Sequence, residues 1–151
     1  PLSAVLRELR ATEQRAKKEG GRDAFSITVI KRSGGALYLT AKWGEPLQLL
    51  IDLRNYLASE GTSPRALYRS LAWLSGLPDP KAQPEVLQAL LSYQLARQSQ
   101  GTRAEDAPKL AERLTALAKE QKDPKGWLAN FMTVAEFLAR ETRVALTGGQ
   151  R

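Results

Sequence analysis

Nine lysine and arginine side chains fall within the first 43 residues: Arg7, Arg10, Arg15, Lys17, Lys18, Arg22, Lys31, Arg32 and Lys42. Four acidic residues accompany them, so this stretch holds +5 of the chain's net charge of +7. Residues 44–101 are neutral in sum, and residues 102–151 carry +2. Guanidinium and ammonium groups pair with phosphate oxygens without needing a fixed spacing. A surplus confined to one region therefore points to contact with a polyanion. The competing explanation is a solvated face in which Glu8 and Glu13 neutralise nearby arginines. Regional confinement favours binding over that explanation.

Other chemistries are harder to assemble from this chain. It contains no cysteine and no histidine. That removes thiolate nucleophiles, disulfides, thiolate metal sites and the commonest general base. No Ser–His pair can form, and no other nucleophile has a visible activating base. Asp52, Asp79, Glu85, Asp106 and Asp123 fall near expected helix ends or on polar faces. Asp106 and Asp123 read as N-caps, which complement the helix dipole. Gly20-Gly21 and Gly34-Gly35 lack the spacing of a phosphate loop and read as turns. No metal or cofactor is expected.

The cations need elements to carry them. Leu2, Val5, Leu6 and Leu9 recur at helical spacing, with Thr12 and Ala16 extending the stripe. Arg7, Arg10, Arg15, Lys17 and Lys18 lie largely off that stripe, and Gly20-Gly21 ends the helix. Phe25, Ile27 and Val29 alternate with Ser26, Thr28 and Ile30. A second alternating run, Leu37 to Trp43, follows Gly34-Gly35, so residues 25–43 predict a two-stranded hairpin. Lys31 and Arg32 then sit at its tip. An isolated hairpin is marginal in water, so its apolar face is expected to pack on helices. Tyr38 alternates away from Leu37 and Leu39, which makes it the candidate base-stacking aromatic. The tryptophans and the other aromatics read as core.

Everything after Gly44 predicts helices. Pro46 opens one with Leu47, Leu49, Leu50, Leu53 and Leu57. Ser63-Pro64 starts another through Leu67, Leu71 and Leu74. Pro84 starts a third with Val86, Leu87, Leu90, Leu91 and Leu95. After a polar loop, 99–105, Asp106 and Pro108 start a fourth, and Asp123-Pro124 a fifth. The fifth carries Trp127, Phe131 and Phe137, expected to be buried together. Residues 146–151 read as a frayed tail. The fold class expected is mainly α: a helical bundle with an N-terminal helix and a two-stranded β-hairpin. One domain spans 1–151, with a basic part over 1–43 and the bundle over 44–145.

Three stretches resemble the small helical subunit of type III-A CRISPR effector complexes. They are 62–69 (Thr62-Ser63-Pro64-Arg65-Ala66-Leu67-Tyr68-Arg69), 90–98 (with Leu90, Tyr93, Ala96 and Arg97), and the aromatic helix 127–138. The resemblance covers about residues 62–143. The hairpin at 25–43 is a departure from the family's pattern. The resemblance implies a helical-bundle scaffold subunit lining a guide–target duplex or a displaced strand. Arg65, Arg69 and Arg97 would then be contact residues.

The expected function is a non-enzymatic, nucleic-acid-associated protein contacting the backbone of single-stranded RNA or DNA, with other protein subunits as partners. Its candidate contacts are Arg7, Arg10, Arg15, Lys17, Lys18, Lys31, Arg32, Lys42, Arg65, Arg69 and Arg97, with Tyr38 for stacking. The alternative is a phage- or plasmid-type regulator that docks on a polymerase or replication protein. An enzyme using carboxylates and Mg²⁺ ranks third. No apolar run approaches a membrane span, and Pro1 to Glu19 lacks a signal-peptide core. A cytoplasmic protein without membrane contact is expected.

Overall fold

Glycine at 34 and 35 permits the chain to reverse where the alternating runs meet. Both residues have positive φ, 87° and 84°, a region glycine enters without steric cost. The turn is closed by the Lys31 N–H donating to the Gly35 carbonyl and the Gly34 N–H donating to that of Lys31, both at 3.1 Å. Strands β1 (Ala24–Ile30) and β2 (Ala36–Lys42) pair antiparallel from Ala24↔Lys42 to Ile30↔Ala36. A computed structural model describes residues 2–32, 34–58, 71–98 and 102–148.

Helix α1 (Leu2–Lys18) lies along this hairpin. Gly20 follows it and abuts Ala24, where any Cβ would collide with the Ala24 methyl. The hairpin face that α1 covers is the polar one, because Thr28 and Tyr38 bond or stack with α1 side chains. The opposite face carries Phe25, Val29 and Leu39, all buried. The expectation that the apolar face packs on helices named no particular helix; α1 takes the polar face, and the apolar face is buried all the same. The periodicity predicts both surfaces, but it does not say which face a helix will take.

The apolar stripe of α1 is the larger surprise. None of its residues is buried. Leu2, Val5, Leu6 and Leu9 are exposed to 74%, 53%, 48% and 63%. Thr12, Arg15 and Ala16 instead turn toward the hairpin and are only partly exposed.

The chain divides into two compact units, Pro1–Gln48 and Leu49–Arg151. The division falls within α2 (Glu45–Ala58), a few residues beyond the boundary suggested by charge. The fold is mainly α: five α-helices and the one hairpin are present among the described residues. Among them, no helix is long and apolar enough to cross a membrane.

The second unit builds its core from the predicted stripes. Leu49, Leu50, Leu53, Tyr56 and Leu57 of α2 are buried, as are Leu87, Leu91 and Leu95 of α3 (Pro84–Gln98). Leu110, Ala111 and Leu114 come from α4 (Ala107–Lys119), which packs on α3. Leu128, Phe131, Met132 and Val134 come from α5 (Pro124–Gly148), which contacts α4 and a 3₁₀ turn at Leu71–Gly76. Tyr56 donates its buried hydroxyl to the Leu95 carbonyl at 2.6 Å. That bond satisfies an acceptor inside α3 and fixes α2 beside it. The Ser63-Pro64 helix start lies outside the described residues.

Several local expectations shift. Residues Thr102–Asp106 form a second 3₁₀ turn inside the predicted loop. Asp106 therefore enters α4 in helical conformation, φ −78° and ψ −17°, and makes no side-chain cap. A residue already in the helical region does not place its carboxylate over the first-turn donors. Asp123 does cap, accepting from the Gly126 N–H at 3.1 Å. Helix α5 continues to Gly148, past the start of the predicted tail, and ends at the first of the two glycines. Trp127 stacks on Phe131 at 4.8 Å between ring centroids. Of the three aromatics only Phe131 is fully buried, while Trp127 and Phe137 are partly exposed. Helical spacing places all three on one side, but only the position nearest the seam is sealed.

Glu136 is an exception within this core. It is 2% exposed, and its Oε2 has no hydrogen-bond partner. Arg140 Nε approaches its other oxygen at 3.7 Å. Burial pushes the carboxyl up to about 6 from an ordinary 4.5, and Arg140 only partly offsets this. A buried carboxylate with one weak partner costs more ionised than neutral.

Two stability predictions follow from this packing. Phe131→Ala should destabilise by about 3–5 kcal/mol through lost burial and a residual cavity, read by urea denaturation. Glu136 concerns pH. The unfolded chain releases this proton near 4.5 and the folded chain near 6. Stability should therefore fall as pH rises through that window, by on the order of 2 kcal/mol. Glu136→Gln should abolish that component, so the variant gains on the wild type from pH 4.5 to 7. Parallel pH profiles for the two proteins would contradict it.

Candidate nucleic-acid interface

The first unit displays cations along α1 and at the hairpin turn. Arg7, Arg10, Lys17, Lys18, Arg22, Lys31, Arg32 and Lys42 are all exposed. Lys17 is engaged, its Nζ 2.6 Å from a Glu13 oxygen, and this contact holds the Glu13 carboxyl below its ordinary value. The other seven make no ion pair among the described residues. Lys31 and Arg32 occupy the hairpin turn, as their position after β1 requires. Both side chains are exposed.

Arg15 has a different role. One Nη donates to Thr28 Oγ1 at 2.8 Å and to Thr12 Oγ1 at 3.2 Å. Thr12 donates its own proton to the Glu8 carbonyl at 2.7 Å. A hydroxyl has one proton, so the 2.6 Å contact between Thr12 and Thr28 has Thr28 donating. The same guanidinium lies 3.8 Å from the Tyr38 ring centroid, and Glu8 Oε2 is 3.7 Å away. This arrangement fastens α1 to both strands. It also places a cation over one face of the Tyr38 ring.

Lys42 ends β2 on the same side of the hairpin as Tyr38 and Thr40. Arg97 stands in the second unit, exposed on α3, with its guanidinium 5.5 Å from the centroid of Tyr93. Arg65 and Arg69 lie outside the described residues. The structure thus gathers the candidates of 1–43 on one unit and leaves Arg97 on the other.

Two exposed aromatics were not foreseen. Trp43 is 52% exposed beside Phe25, with centroids 5.3 Å apart. Tyr93 is 56% exposed beside Arg97. The Tyr93 position was readable, because it falls off the Leu87, Leu91, Leu95 stripe. Trp43 was not, because strand alternation groups it with inward residues such as Leu39.

Asp52 and Asp106 line a cavity of about 350 Å³ in the second unit, with Asn55, Tyr56, Lys109 and Arg113. Arg113 Nη1 holds Asp52 at 2.8 Å, tying α4 to α2. Among the described residues, no group of three Asp, Glu, His or Cys is placed to hold a metal ion. No family model, curated protein or solved structure matches the chain.

Proposed function

We propose that this chain is a non-enzymatic, basic, nucleic-acid-associated protein that contacts the backbone of single-stranded RNA or DNA and works beside other protein subunits. The observation that carries this reading is the set of seven exposed cations on the first unit, free of ion pairs among the described residues. Neutralised surface charges would be consistent with a merely solvated face. Cations left without counter-charges can release counterions from a polyanion. The absence of histidine and cysteine from the sequence supports binding over turnover.

The sharper form of the proposal is a small scaffold subunit of a CRISPR ribonucleoprotein effector. It rests on the resemblance over about 62–143, and the exposed Tyr93–Arg97 pair on α3 is compatible with strand contact. Such a pair offers a ring face and a cation to the same nucleotide. No base-reading arrangement is visible among the described residues, so sequence preference should be weak.

Fluorescence anisotropy with a labelled single-stranded oligonucleotide tests this. Binding should weaken steeply with salt, each neutralised phosphate adding about −0.7 to the slope of log K against log salt. The double variant Lys31→Glu/Arg32→Glu should lose about tenfold or more in affinity at low salt if the hairpin turn touches the strand. Arg65→Glu/Arg69→Glu should carry the loss instead if the CRISPR-like stretch is the contact surface. No binding at low salt by the unmodified chain would count against the proposal.

A further inference from the structure

Helix α1 presents an apolar surface that phosphate binding does not use. Leu2, Val5, Leu6 and Leu9 follow i, i+3, i+4, i+7 spacing and are all exposed. Viewed down the helix they span about 100°, and Lys17, Arg10, Arg7 and Lys18 fill the next ~100°. No acidic residue interrupts that cationic sector. The remaining side faces the hairpin through Thr12 and Arg15. Glu13 follows the stripe a turn later and is paired with Lys17, which marks where the apolar surface ends.

The hairpin extends this surface. Gly20 abuts Ala24 and Thr12 meets Thr28, so α1 runs back along β1 toward the turn. Ile30 lies on the Thr28 face of the hairpin, toward α1, and is exposed. It is two residues past Thr28, roughly 7 Å along the strand. That distance equals between four and five helical residues, at about 1.5 Å each, which sets Ile30 level with residues 7 and 8. Lys31 and Arg32 follow at the turn. The aliphatic stripe is therefore bordered by cations both along the helix and at the hairpin end.

We infer that this surface docks on an anionic phospholipid bilayer, with α1 lying in the interface plane. Aliphatic side chains enter the acyl boundary, and flanking cations stay at the level of the phosphates. A nucleic-acid backbone offers nothing to the four aliphatics. A second copy of the chain fits poorly, since a stable interface takes about 800 Å² per partner and the stripe holds four side chains. The helix is already ordered on the hairpin, so docking does not have to bear the cost of folding it. This inference goes beyond the proposed function and does not depend on it.

Sedimentation with extruded vesicles tests it. Vesicles of phosphatidylcholine with phosphatidylglycerol at about 2:1 should bind the full chain about tenfold more tightly than phosphatidylcholine alone, at low salt. Leu6→Ser/Leu9→Ser should lower anionic-vesicle binding about tenfold, with circular dichroism unchanged because both positions are exposed. The same variant should bind the labelled oligonucleotide as the wild type does. Failure to sediment with anionic vesicles would overturn the inference. So would equal vesicle binding by wild type and the serine variant, since charge alone would then account for it. Vesicle binding retained by a chain that ignores the oligonucleotide would count only against the nucleic-acid proposal.

Discussion

The placement of the first unit's functional surface depends on Arg15. No residue of α1 is buried, so hydrophobic burial does little to hold this helix. Its attachment runs instead through the Arg15 guanidinium, which meets Thr12, Thr28 and the Tyr38 ring together. Charge-assisted hydrogen bonds and a cation–ring contact are directional, whereas apolar burial is not. Directionality sets the rotation of α1 about its axis, and that rotation turns the aliphatic stripe outward. The cation that charge counting places in the binding surface is thus the one that positions the others.

The second unit rests on a different balance. Its helices bury leucines at the spacing their stripes predict, and polar contacts tie α2 to its neighbours. Tyr56 reaches the Leu95 carbonyl, and Arg113 reaches Asp52. Each crosses between helices that burial alone would leave free to slide. Glu136 runs against this order, since its burial is only weakly compensated. A glutamine of similar shape would remove the charge without opening a cavity, so nothing in the packing around Glu136 requires a carboxylate.

Both proposed contacts use one body of charge. A phosphate backbone and an anionic bilayer each reward exposed cations. They differ in what lies behind the phosphates. A bilayer offers acyl chains and a single strand offers bases, so aliphatic exposure and aromatic exposure separate them. The first unit exposes aliphatics on α1 and Trp43 beside Phe25, while the second exposes Tyr93 beside Arg97.

The sequence alone determined the fold class, the hairpin and its tip, the starts of α3 and α5, and the core leucines. Each depends on local rules: glycine's access to positive φ, proline's fit at a first turn, and the periods 2 and 3.6. It also located the cation-rich region, because charge is additive along a chain. Tertiary structure alone decided which face of the hairpin α1 covers and that the α1 stripe stays exposed. The stripe of α1 follows helical spacing, but spacing carries no information about whether an apolar neighbour is present, and here the stripe is exposed. Arg15 looked like its neighbours in sequence, and only the approach of β1 and β2 gave it partners. Asp106 lost its cap to a 3₁₀ turn that runs straight into α4. Local chemistry sets what each segment can form, while pairing between distant segments sets which surface remains for function.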